Sequence, residues 1–238
     1  NLMTAFGMAL DPAETRLGRT CSNRLPGMLL WLDAMAHPDG GISFFNDATL
    51  GVAPENERLH DHAARGGADT LTLPGTGLLH LSDSGFVRMA RGQAVVFCDI
   101  GQIGPDYLPG HAHADTLSFE MSLGVERVIV NSGTSEYGTA GERLRQRGTA
   151  AHSTVVVSDT DSSEVWSGFR VARRARVDAI ETIETPEALT VGASHDGYTR
   201  LTDGPRHSRR WTLTETGLRV HDRLDPATPG EARFHLPP

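Results

Sequence analysis

Apolar residues recur every third or fourth position early in the chain and every second position over most of the rest. Leu25, Met28, Leu29, Leu32 and Met35 follow the helical spacing, which predicts helix from residue 1 to about 36. Pro38, Gly40 and Gly41 in "AHPDGGISFFNDATLG" break that period. Residues 52–76, polar and rich in Gly, Asp, Glu and His, read as loop. From residue 77 alternation takes over. It predicts strands at 78–82, 85–90, 94–100, 116–123, 126–131 and 153–158, then at 168–179, 188–195, 207–214 and 217–222. "SDSG" (82–85) and "TETG" (214–217) have hairpin-turn composition. Each alternating strand has one apolar face to bury. The expected fold is therefore mainly β, an antiparallel sandwich over residues 51–238 preceded by a helical segment over 1–50.

Composition narrows the chemistry. The chain has 22 basic and 30 acidic residues, a net charge of −8, which argues against general nucleic-acid binding. All 22 basic residues are arginine, so Schiff-base and lysine general-base chemistry are excluded within it. Arginine suits bidentate clamping of carboxylates or sulfates. No stretch approaches the roughly 20 apolar residues of a membrane span. The opening Asn1-Leu2-Met3 shows no signal peptide, and the chain ends at "EARFHLPP" with a strand under way, so it reads as a fragment. Cys21 and Cys98 are far apart, form no CxxC and decide nothing about compartment or metal.

The most informative stretch is "GHAHADTLSFEMSL" (110–123). In extended chain His111 and His113 share a face, a spacing that suits a zinc site or a metal-plus-base pair. HxH alone is a weak signal: "HDH" at 60–62 lies in a polar region and reads as solvated. His152 opens the apolar strand in "RLRQRGTAAHSTVVV" (143–157), as a third site residue or as a cap on the core edge. Asn131 closes the strand of "ERVIVNSGTSEYG" (126–138). With Leu123 facing Glu126 across the hairpin, Asn131 falls opposite Ser118, and His113 lies about 16 Å farther along a straight strand. The GHAH segment must therefore curl back. Asp115 is nearer, either a substitute ligand or a turn residue bonding its own backbone.

Together these segments resemble the heparinase II/III-like family of polysaccharide lyases. The resemblance runs through "GHAHADTLSFEMSLGVERVIVNSGTSEYG" and "RGTAAHSTVVVSDTDSSEVWSGFRVARRARV", and more weakly through "DGGISFFNDATLG" (39–51). It implies an N-terminal (α/α) toroid followed by antiparallel sheets, of which the helical segment here would be the truncated end. It also implies β-elimination on a uronic-acid polysaccharide, in the periplasm or outside the cell. Carried over residue by residue, His113 and His152 become zinc ligands and His111 a catalytic-site histidine. The family's third ligand is an aspartate; Asn131 stands there, an oxygen donor without charge, so zinc should bind more weakly. The family draws its acid/base and neutralising groups partly from the toroid, which makes this chain alone an expected inactive piece. Of its three tyrosines, Tyr107, Tyr137 and Tyr198, Tyr137 follows the metal strand and is the local catalytic candidate. Arg143, Arg145 and Arg147 alternate before His152, so in extended chain they would offer one face to substrate carboxylates or form a solvated charge run. Arg170, Arg173, Arg174 and Arg176 read as surface.

Two rival readings differ in class. A cupin-type metal enzyme wants Glu four or five positions after the second histidine; Glu120 is seven on, an odd spacing that turns it to the opposite face from His113. The alternative to an enzyme is a carbohydrate-binding or structural β-sandwich with a vestigial metal site, which metal content would separate from a lyase-derived one.

Overall fold

The structure, a computed structural model, describes residues 16–238, so the helix expected over residues 1–15 lies outside the described residues. Two compact units are distinguished. One takes in the described residues up to Ala36 together with Gly51–Pro74, and the other is His37–Leu50 with Gly75–Pro238. The sequence placed the boundary after residue 50. Instead, residues 37–50 belong with the sheets and 51–74 with the helices.

In the helical unit α1 (Arg16–Ala34) keeps the expected apolar spacing, although Met28 is 64% exposed. The stretch read as loop contains α2 (Asn56–Arg65). Its sequence NERLHDHAAR buries only Ala63, so no apolar stripe announces it. Glu57 in its first turn and Arg65 in its last complement the helix dipole. The HDH pair therefore rides on a helix, with His60 Nε2 donating to Asp33 Oδ1 of α1 at 2.6 Å.

The β unit is antiparallel throughout. Its first sheet is a meander of β1 (Gly77–Leu81), β2 (Phe86–Arg91), β3 (Ala94–Asp99), β4 (Phe119–Leu123) and β5 (Glu126–Ile129). After β5 come α3 (Gly141–Arg147), a 3₁₀ turn (Thr149–Ala151) and β6 (Val155–Val157). A small hairpin, β7 (Val165–Trp166) and β8 (Arg170–Val171), follows. The second sheet, in order β12-β11-β10-β9, joins β9 (Val177–Glu184), β10 (Leu189–His195), β11 (Arg206–Thr214) and β12 (Gly217–Asp225); β13 (Gly230–Ala232) pairs with β6.

The two large sheets pack face to face as alternation required. Val87, Met89, Val96, Cys98 and Phe119 of the first meet Val191, Trp211 and Leu213 of the second in one buried cluster. Phe119 and Trp211 meet edge to face at 6.3 Å. All six positions of β3 are buried, which alternation alone cannot explain. Its outer face is covered by residues 37–50: the His37 ring lies 4.7 Å from Phe97 of β3, and Phe45 packs 5.0 Å from Phe86 of β2. Several expected strands shorten, 126–131 to Glu126–Ile129 and 153–158 to Val155–Val157 among them. Residues 116–118 form a turn with Leu117 in the left-handed region (φ 60°), and 168–179 breaks into β8 and the start of β9.

Candidate active site

The segment over β3 is clamped before it reaches the site. The fully buried Glu120 carboxylate accepts the Phe44 N–H at 2.5 Å and the His37 Nε2–H at 2.9 Å, and His37 Nδ1 meets Ser122 Oγ at 2.7 Å. Arg127 adds a fork onto Asp39 at 2.7 and 3.0 Å. Glu120 is thus spent on holding this segment, which removes the cupin reading. The clamp delivers Asn46, left-handed at φ 54° as Asn tolerates, whose Oδ1 accepts the His113 N–H at 3.2 Å.

The next residue is the centre of the site, and the sequence analysis did not single it out. Asp47 Oδ2 accepts from His111 Nδ1 and Asp47 Oδ1 from His113 Nε2, each at 2.8 Å. The Arg143 guanidinium bridges both carboxylate oxygens, with Nη2 to Oδ2 at 2.8 Å. Burial pushes the Asp47 carboxyl up, but the hydrogen bonds from His113, Arg143 and His111 outweigh it and hold the group well below the usual carboxylate range. Because a carboxylate only accepts, the protons sit on His111 Nδ1 and His113 Nε2. The other ring nitrogen of His111, Nε2, is left free of Asp47 on a side chain that is 62% exposed.

His113 and His152 are both fully buried, their ring centroids 5.3 Å apart. His152 Nδ1 donates to Asn131 Oδ1 at 3.0 Å. Burial, then the neighbouring His113 and His235, keeps His152 well below the ordinary imidazole range. His113 Nδ1 and His152 Nε2 are left as buried atoms with no hydrogen-bond partner, as is Asn131 Nδ2. Two orphaned lone pairs, one on an imidazole backed by a carboxylate, fit a divalent metal. The third donor fits less well, since the Asn131 oxygen is engaged by His152. Among the described residues no group of three or more His, Cys, Asp or Glu gathers as a metal site. Asp115 is buried, with its own backbone and that of Asn46 beside its carboxyl and Oδ2 left without a hydrogen-bond partner, so the turn and ligand readings both stand.

The three alternating arginines need a correction. They lie on the helix α3, where i and i+4 share a face, so Arg143 and Arg147 are fully buried and Arg145 points out to pair with Glu142 at 2.6 Å. Arg143 donates further to Thr134 Oγ1 at 3.0 Å and the Gly168 carbonyl at 3.1 Å. Arg147 donates to the Ala112 carbonyl, between the two histidines of HxH, at 3.1 and 2.9 Å. Neither guanidinium faces solvent. They fix the loops, and the face expected to meet substrate is their inner one.

What faces solvent is a cleft of about 400 Å³ whose lining includes His111, Leu108, Thr139, Phe169 and Arg170. Tyr137 and Phe169, 57% and 45% exposed, stand 6.1 and 5.9 Å from the His111 ring, and Arg143 lies beneath both at 5.3 and 5.5 Å. Where the 138 and 168 loops touch, glycine is required: a Cβ on Gly168 would lie 2.2 Å from the Gly138 carbonyl.

These features define the class: a two-sheet β domain presenting a carboxylate-backed histidine beside a cleft lined by Phe169. The family model described as Heparinase II/III-like, C-terminal, matches residues 73–238, and the chain belongs to that family. Solved structures agree on the fold. A heparan sulfate lyase HepC mutant from Pedobacter heparinus superposes with a TM-score of 0.64 at 17% identity, over 88% of this chain and 34% of that one. A heparinase III gives 0.62 at 14% identity, over 88% and 35% of the two chains. This chain thus spans about a third of the length of the structures it matches. No curated protein matches it in sequence.

Proposed function

We propose that this chain is the β-domain half of a polysaccharide lyase that cleaves uronic-acid polysaccharide by β-elimination, exported to the periplasm or beyond. One observation carries the reading: the exposed His111 imidazole, its Nδ1 held by Asp47, borders a cleft lined by Phe169, with the Tyr137 ring 5.4 Å from Phe169. A neutral imidazole backed by a carboxylate is a general base. In the proposed step His111 Nε2 takes the C5 proton, the C5–H electron pair forms the C4–C5 double bond, and the C4–O4 bond breaks towards O4. The Tyr137 hydroxyl protonates the departing oxygen. The sugar ring stacks on Tyr137 and Phe169, and the exposed Arg170 at the cleft edge attracts the carboxylate. The group that neutralises the carboxylate at the reacting ring is assigned to a helical toroid, of which α1 would be the end, so the isolated chain should turn over no substrate.

His111→Ala in the protein that carries the toroid is expected to lower kcat by about 10² or more, the usual scale for one general acid–base group. The assay is the rise in ultraviolet absorbance of the unsaturated uronate from alginate, glucuronan and heparosan. Full turnover by His111→Ala, or robust turnover by the 238 residues alone, would remove the assignment. Arg170→Ala should raise KM with little change in kcat.

Zinc is proposed at His113 and His152 with Asn131 as third donor, where it would tie the HxH turn to the start of β6. Elemental analysis after refolding with zinc should find close to one equivalent, lost in His113→Ala and His152→Ala and held more tightly in Asn131→Asp. Equal metal content in all four proteins would leave the vestigial carbohydrate-binding domain as the better reading. The Asn131–His152 bond engages the oxygen that a third donor would offer, while it leaves His152 Nε2 without a partner.

A further inference from the structure

Behind the histidine pair, the inner face of the second sheet changes from apolar to ionic. Along β11 the inward positions are His207, Arg209, Trp211 and Leu213, all buried. The register sets Asp222 of β12 directly opposite Arg209, and His195 of β10 opposite His207. Arg209 Nε and Nη2 fork onto the two Asp222 oxygens at 2.7 and 2.9 Å. Its Nη1 donates to two backbone carbonyls, Leu117 at 3.0 Å and Ser153 at 2.6 Å.

A core position next to Trp211 could be filled by any apolar side chain at less cost than a guanidinium with no solvent exposure. The charge at Arg209 is therefore explained by what it directs. Its acceptors are the backbones of the two segments that carry the buried imidazoles. Leu117 lies in the turn that follows His113, in a left-handed conformation unfavourable for a bulky residue, and needs an outside tie to stay there. Ser153 directly follows His152. The fork on Asp222 is itself oriented. His207 Nε2 donates to Asp222 Oδ1 at 2.7 Å, His195 Nε2 to His207 Nδ1 at 3.1 Å, and the Gly197 N–H to His195 Nδ1 at 3.0 Å.

We propose that Arg209, oriented by Asp222, is the positioning residue for the His113–His152 pair, holding from the second sheet the two backbones that bring these rings together. This stands on the geometry alone and does not depend on the reaction or on a metal.

The test is two-bond ¹H–¹⁵N spectroscopy of the imidazoles in the whole metal-free chain, which reads the tautomer of each histidine. Wild-type His152 should be Nδ1-protonated, with a slowly exchanging proton held by Asn131. Arg209→Met should convert it to a mixture of tautomers and speed exchange of that proton by at least about tenfold. Arg209→Lys, which keeps the charge but not the fork, should not restore it. Leu189→Ala, a core truncation at the far apolar end of the same sheet, should lose stability yet keep the wild-type His152 signal. An unaltered His152 spectrum in Arg209→Met, or an equal change in Leu189→Ala, would overturn the proposal. Should Arg209→Met fail to fold, Asp222→Asn decides: the same change to a smaller degree supports the proposal, and an unchanged His152 rejects it.

Discussion

Asp47→Ala is expected to lose about 3–5 kcal/mol of stability, the scale for leaving a buried charge without its partner. The Asp47 side chain is only 7% exposed and meets a guanidinium that is fully buried. Without it Arg143 retains Thr134 and Gly168 as acceptors but has no counter-charge, and His111 and His113 lose the group that fixes their tautomers. Asp47→Asn keeps the shape and one acceptor oxygen, so it should cost less. The double variant Asp47→Leu/Arg143→Met should recover much of the loss, since it removes both charges. Urea unfolding of the four proteins measures this directly. Were Asp47→Ala to melt within about 1 kcal/mol of wild type, the carboxylate would not be the organising centre assigned to it here.

Acidification is expected to weaken the chain through its buried histidines, His152 beside the site and a pair on the second sheet, before it touches Asp47. Burial, then the neighbouring His207 and Arg206, holds His195 well below the ordinary imidazole range. Burial lowers His207 as well, partly offset by its bond to Asp222, with Arg209 adding to the depression. Both rings are therefore neutral when folded and take up protons on unfolding. A depressed histidine contributes stability that is complete above its unfolded pKa of about 6.5 and is lost as pH falls below it, by up to about 1.4 kcal/mol per pH unit for each ring. Asp47, a depressed carboxylate, keeps its contribution until pH falls below the ordinary carboxylate range, so the two effects fall in separate windows. Urea midpoints between about pH 7 and 5 should fall steeply in wild type and less so in His195→Gln. Identical slopes would mean that His195 takes up its proton in the folded state.

The strands could be read from the sequence because each has one face against the other sheet, and period two survives wherever that holds. It fails where a second layer intervenes. β3 is buried on both faces because residues 37–50 cover it, and nothing in its own six residues says which side is which. α3 was misread because Arg143, Arg145 and Arg147 imitate a strand period. The helical signal lay in Glu142 and Arg145, three apart, and Glu142 and Gln146, four apart, which do bond. His111, His113, Asn131 and His152 could be grouped from the sequence because they fall in two stretches that carry the family resemblance, and the structure brings His113, Asn131 and His152 together. Asp47 could not be, since it lies 64 residues before His111 and a side chain contributed across that distance leaves no local pattern.

The helix α3 has seven residues, shorter than any helix that persists by itself in water. Its order comes from Arg143, Gln146 and Arg147, whose side chains reach inward like roots. A helix anchored this way cannot swing aside to widen the cleft without drawing charges through the protein interior. The aperture beside His111 is thus pre-organised, and on the proposed function a sugar chain seating there would give up its own conformational entropy without also having to order the wall it meets. On that proposal, discrimination among polymers should follow the shape of the ring presented to Phe169 and its neighbour Tyr137, with little adaptation by the protein.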